Sequence, residues 1–156
     1  MALFETIKYE IIKKDGNIQI RKYDDVLLAS TRTDKTPSLD SGFNQVFQYI
    51  AGANDQEAKI SMTTPVITYE DQDQLVTSFY VPKKYNKETI PKPTKENVFV
   101  NELKEAYYAV IRFRGGWTEK NFDQHNQILL DYLRSNHYEI ISSQFLFRYQ
   151  PPMVPG

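Results

Sequence analysis

The side chains able to do chemistry in this sequence are few and scattered. Two histidines, His125 and His137, stand twelve positions apart, so no H-x-x-x-H pair sets two imidazoles on one helical turn. His125 lies three residues after Phe122 and four before Leu129, on the apolar face of a predicted helix. A neutral imidazole there could ligate a metal centre, or sit at the core edge with one nitrogen on a backbone carbonyl. His137 follows Asn136 at the end of the same helix, where the dipole favours a cation and a capping role is expected. Glu70, Asp71 and Asp73 crowd a predicted turn, where solvation accounts for them. There is no G-x-S-x-G, no phosphate-cradling glycine loop and no cysteine, so neither a known nucleophile motif nor a thiolate metal site is on offer. A binding protein rather than an enzyme is expected, with no dedicated metal site.

Aromatic content points the same way. Eleven Tyr, nine Phe and one Trp in 156 residues exceed what one small core needs. Some must pack the sheet and helices. Others could line a flat apolar groove for a planar guest, where ring faces stack with modest geometric demand. The formal net charge of −1, with 25% charged residues and no basic block, gives no electrostatic case for nucleic acid or an anionic membrane. The N-terminal stretch has no basic segment followed by an apolar run, and nothing approaches the ~18 apolar residues of a membrane span. A cytoplasmic location is expected; the oligomeric state is left open.

Positioning falls to an α+β chain with two helices. Strands are predicted over 7–13, 18–23 and 26–33, and Asp15-Gly16 signals a hairpin between the first two. Phe43, Val46, Phe47 and Ile50 sit at i, i+3, i+4 and i+7, which makes one apolar helical face, and Gly52 can take the positive φ that stops the helix. Residues 59–66 alternate as a half-buried strand, confined by Pro65 to an edge or bulge. A hairpin over 66–69 and 75–81 follows, then a proline- and lysine-rich loop over 82–95 and a strand pair over 98–103 and 107–113. The second helix, 118–136, has Thr118 as its cap and Trp117 with Phe122 placed for a hydrophobic staple. Ile128, Leu129, Tyr132 and Leu133 continue its apolar face, and a last strand covers 144–149.

The two halves echo each other. Leu28 to Phe47 spans the same number of positions as Val110 to Leu129, which matches Val46 with Ile128 and Phe43 with His125. One domain over 1–156 is expected, with a first repeat at about 7–81, a loop at 82–97 and a second repeat at about 98–150. Each repeat is a β-hairpin/helix unit, related to the other by pseudo-twofold symmetry, its helix covering one half-sheet.

The run from Gly42 to Val66, G-F-x-x-x-F-x-Y-I-x-G-x-N-x-x-x-x-K-I-x-M-T-x-P-V, resembles the core motif of the SOUL haem-binding protein family. Ile20-Arg21-Lys22-Tyr23, Phe79-Tyr80-Val81-Pro82, Phe113-Arg114-Gly115-Gly116 and Tyr149-Gln150-Pro151-Pro152 agree in the right order. The resemblance implies a distorted antiparallel barrel or sheet with two helices outside. It also implies that haem or another tetrapyrrole binds in an apolar surface groove along the first helix, without strong axial ligation. The residues it points to are Phe43, Phe47 and Gln48 on that helix, Met153 near the C-terminal Pro-Pro, and Lys22, where some members carry a histidine. His125 is the candidate axial ligand for the iron. Where the family carries cations beside the groove, this sequence has Asp40, Phe43, Phe47, Gln48 and Met153-Val154, so weak haem binding is expected, with Lys22, Arg32 or Lys35 as substitute propionate partners. The duplicated fold also resembles effector-binding modules of the gyrase-inhibitor-like type. That alternative expects a buried carboxylate, with Glu10 or Glu102 as candidate. A protein-interaction domain without a ligand is the other alternative.

Overall fold

The computed structural model describes residues 5–34, 42–113, 118–142 and 144–148. In chain order the elements are β1 (Glu5–Thr6), β2 (Tyr9–Asp15), β3 (Ile18–Tyr23), β4 (Val26–Asp34), α1 (Phe43–Ile50), β5 (Thr63–Thr64), β6 (Val66–Asp71), β7 (Gln74–Tyr80), β8 (Val98–Leu103), β9 (Ala106–Ile111), α2 (Glu119–Ser135) and β10 (Phe145–Arg148). The fold is α+β, and its sheets do not close into a barrel; of the two shapes expected, the distorted sheet is the one observed. Two compact units form, one from Met1–Ile7, Asp25–Lys104 and Phe145–Gly156, the other from Lys8–Asp24 and Glu105–Gln144. Each therefore draws on both halves of the chain.

In the larger unit, an antiparallel five-stranded sheet runs β10-β6-β7-β4-β8, and β1 pairs with β5 in a short parallel ladder. Helix α1 buries Phe43, Val46, Tyr49 and Ile50 in a cluster with Ala29, Phe79 and Val98 of the sheet. It has only eight residues, no side-chain cap bond, no acid in its first turn and no base in its last. A helix that short is unstable alone in water, so packing must hold it. Gly42, just before it, shows how closely. A Cβ there would lie 2.8 Å from Thr31 Cγ2 and 2.9 Å from Thr77 Oγ1, and Thr31 and Thr77 face each other across β4 and β7. Gly52 takes φ 131° after the helix, as expected of a stop. The strand expected over 59–66 shrinks to β5, and Pro65, which has no N–H to give, separates it from β6.

In the smaller unit, β2-β3-β9 make an antiparallel sheet, with α2 packed on β9. Thr118 caps α2 as expected, its Oγ1 accepting from the Asn121 backbone N–H at 3.0 Å. The staple partner Trp117 lies outside the described residues. The inward stripe runs through Phe122, Leu129 and Leu133, of which only Leu133 is buried. Ile128, expected on that face, is 51% exposed, because it lies about 100° round the helix from Leu129.

The strands expected to pair within each half do not. β3 pairs with β9 and β4 with β8, so the first strand of each half joins the second strand of the other. The turn chemistry explains why. The true two-residue hairpins hold left-handed residues, Gly16 at φ 63° between β2 and β3, and Gln72 and Asp73 at φ 51° and 66° between β6 and β7. Asp24-Asp25 and Lys104-Glu105 have no positive φ, so the chain passes into another sheet instead of folding back.

Candidate functional site

The outer side of α1 is built from the helix and from a residue far away in sequence. Phe43 and Phe47, one turn apart, stack with centroids 6.0 Å apart and planes 17° apart, and Phe43 meets Phe79 edge-on at 5.4 Å. Phe47 is 37% exposed, whereas Phe43 is 3% exposed. Phe43, expected to line the groove, therefore supports Phe47 from beneath and cannot meet a guest itself. Gln48 is exposed, and its Oε1 accepts from the Lys95 ammonium, brought in from the segment after β7. A cation thus stands one residue along from the exposed ring, where the sequence showed none.

The other expected cations are committed elsewhere. Lys22 pairs with Glu105 at 3.4 Å, and the hydrogen bond its ammonium donates to that carboxylate holds it above the ordinary lysine range. Arg32 pairs with Asp71 at 2.7 Å and lies 5.5 Å over the Phe99 ring. Lys35, Asp40 and Met153 fall outside the described residues. Neither carboxylate proposed for an effector cleft is buried: Glu10 is exposed, and Glu102 pairs with Lys104 at 2.5 Å and Lys87 at 3.5 Å. Those cations, Lys104 first, hold the Glu102 carboxyl below the usual carboxylate range.

His125 is half-buried, stacked on Phe113 at 4.6 Å, with Nδ1 2.8 Å from the Asn121 carbonyl. A carbonyl only accepts, so Nδ1 is the donor in this bond and Nε2 is the ring nitrogen left for any other partner. Both roles read from the sequence, core-edge imidazole and iron ligand, use that same bond. His137 takes φ 61° just past α2 and donates its backbone N–H to the Arg134 carbonyl, a left-handed helix stop. Among the described residues no three His, Cys, Asp or Glu side chains gather to hold a metal ion, and no helix is long and apolar enough to cross a membrane.

Sequence reasoning missed a buried cation. Arg21 on β3 is 4% exposed, with Nε donating to Gln19 Oε1 at 2.8 Å and Nη1 to Tyr23 Oη at 2.9 Å. Its guanidinium lies 4.0 Å over the Tyr9 ring, and Tyr108 meets Tyr23 edge-on at 5.6 Å. Among the described residues, neutral dipoles and a ring face meet this charge. The signal was available: Gln19, Arg21 and Tyr23 alternate along one strand and must share a face.

The fold matches a solved structure described as the crystal structure of the EcmrR C-terminal domain, at TM-score 0.65 and 12% identity over 94% of this chain and 88% of that one. In sequence the chain is similar to heme-binding protein 2 of Homo sapiens, 29% identical over 120 residues, which is 70% of this chain and 58% of the relative. It is similar also to heme-binding protein 2 of Mus musculus, 28% identical over 116 residues, 68% of this chain and 56% of the relative. The chain therefore matches under two thirds of the length of these relatives. The family model described as SOUL heme-binding protein matches residues 4–156, nearly end to end, and the chain therefore belongs to the SOUL heme-binding protein family.

Proposed function

We propose that this chain is one SOUL domain that binds haem or a related tetrapyrrole on the outer side of α1, as a cytoplasmic carrier or buffer. The observation that carries this reading is the Phe47 ring, 37% exposed and backed by buried Phe43, with the Lys95 ammonium held on the next residue of the helix, Gln48. These residues fit the group: an aromatic face for the macrocycle, and an ammonium for a propionate. Family membership and the names of both mammalian relatives support the reading. Lys22, expected as another propionate partner, is already held by Glu105. Met153 is proposed as a further apolar contact from its place beside Pro151-Pro152. Binding through one exposed ring and an exposed ion pair is weak, and needs no iron ligand.

Haemin titration, followed at the Soret band, tests this. A broad, little-shifted band is expected, unchanged in His125→Ala and weakened about 3- to 10-fold in Phe47→Ala. A sharp, shifted band lost in His125→Ala would replace adsorption by ligation through Nε2. No spectral change at micromolar haemin would overturn the reading. A second reading, a protein-interaction surface, is favoured by Tyr138, Ile140 and Ile141, exposed 42%, 53% and 87% after α2. It predicts that Ile141→Lys abolishes association with a partner and leaves the haemin titration unchanged.

A further inference from the structure

Strands β7 and β8 are both antiparallel to β4, which lies between them, so they run parallel to each other. A connection between parallel strands must cross the sheet and needs a dozen residues or more. This is why 81–97 is long, although it contains no helix. The crossover is fastened at several points. Val81 donates its N–H to the Leu27 carbonyl at 2.7 Å as the crossover leaves β7. The Tyr49 hydroxyl of α1 donates to the Pro91 carbonyl at 2.5 Å. Asp55 and Lys92 exchange two bonds, N–H to carbonyl at 2.8 Å and N–H to Oδ1 at 2.7 Å, and Asn54 bridges to Pro93.

Between this crossover and the β4/β8 edge lies a groove of about 390 Å³. Its lining includes the apolar Leu27, Ile90 and Val100 and the charged Lys87, Lys92 and Glu102. Its charge is lopsided. Glu102 is already held by Lys104 at 2.5 Å, closer than its 3.5 Å contact with Lys87. Among the described residues the Lys92 ammonium takes part in no ion pair, while the Lys92 backbone is pinned to Asp55. The side chain is therefore an exposed cation on a fixed base, in the lining of the groove, with no acid of its own among the described residues.

We propose that this groove is a second binding site, separate from the outer face of α1, and that it takes a small amphipathic carboxylate. The apolar body lies on Leu27 and Val100, with buried Ile90 behind them, and the carboxylate is received by Lys92 with help from Lys87. The volume is at the low end of the 300–1,000 Å³ typical of ligand pockets, suited to a one- or two-ring acid. A neutral apolar molecule would leave Lys92 unanswered, and a cation would be repelled by it.

Titration with 2-naphthoate, followed by amide proton–nitrogen correlation spectra, tests the site. Saturable shifts are expected at the amides of Leu27, Ile90, Lys92 and Val100. Lys92→Met should weaken binding about 5-fold or more, Lys92→Arg should retain it, and 2-naphthamide should bind about 5-fold more weakly than the acid. The Lys92 clamp uses backbone atoms, so both variants keep the fold, which the unperturbed Tyr49 and Asp55 amides would verify. Absence of saturable shifts at these amides up to millimolar probe would overturn the proposal. So would equal binding of acid and amide, or binding untouched by Lys92→Met, since either means adsorption to apolar surface alone. The haemin titration is a separate readout, expected to be unaffected by Lys92→Met, so the two sites stand or fall apart.

Discussion

Helix α1 has eight residues, no side-chain cap and four buried side chains, whereas α2 has seventeen residues, a threonine cap and, among those described, one buried side chain. Counting along the sequence makes them counterparts. Val46, matched with Ile128, is nevertheless fully buried, and Ile128 is half in water. The difference lies in what holds each helix. Tertiary contact holds α1, while length, a cap and local propensity do much of the work for α2.

Substitutions can break or sharpen that contrast. Gly42→Ala should be the costliest, about 1–3 kcal/mol by urea unfolding, because its Cβ would press on Thr31 and Thr77. Val46→Ala should cost about 2 kcal/mol, but Ile128→Ala less than about 0.5. Similar costs for the last two would mean that both helices are held by packing after all. Thr118→Ala should cost about 1 kcal/mol and fray the start of α2 in hydrogen exchange, with α1 unchanged.

Tyr49→Phe should also cost about 1 kcal/mol, through the lost bond to Pro91, and should carry a pH signature. Burial first, then the Asp55 and Tyr85 charges, push the Tyr49 phenol up to about 12 from an ordinary 10.0. A raised folded value favours the folded protein fully below pH 10, and that contribution fades as pH climbs from 10 towards 12. Unfolding curves across that window should therefore fall more steeply for the parent than for Tyr49→Phe.

The apolar stripe of α1, the Gly52 stop, the Asp15-Gly16 hairpin and the Thr118 cap were all legible, because each is written within one or two turns of chain. The exchange of partners among β3, β4, β8 and β9 was not. Sheet membership depends on what lies opposite, and the only local hint was the absence of a glycine or asparagine at 24–25 and 104–105. The candidate site divides the same way. Phe43 and Phe47 were visible as a pair, but which of them faces outward depends on how the helix lies on the sheet. Lys95 was invisible from α1, since 47 positions separate it from Gln48.

The crossover has one more consequence. It carries Lys83, Lys84, Lys87 and Lys95, each a cleavage point for trypsin, and Lys92, whose bond to Pro93 trypsin does not cut. In an untethered linker those bonds would be cut within minutes of exposure to protease. Here Pro91, Lys92 and Pro93 are tied to Tyr49, Asp55 and Asn54. Digestion at Lys95, two residues past that tie, must therefore wait for α1 and its following turn to open, and nicking there should follow global unfolding instead of preceding it.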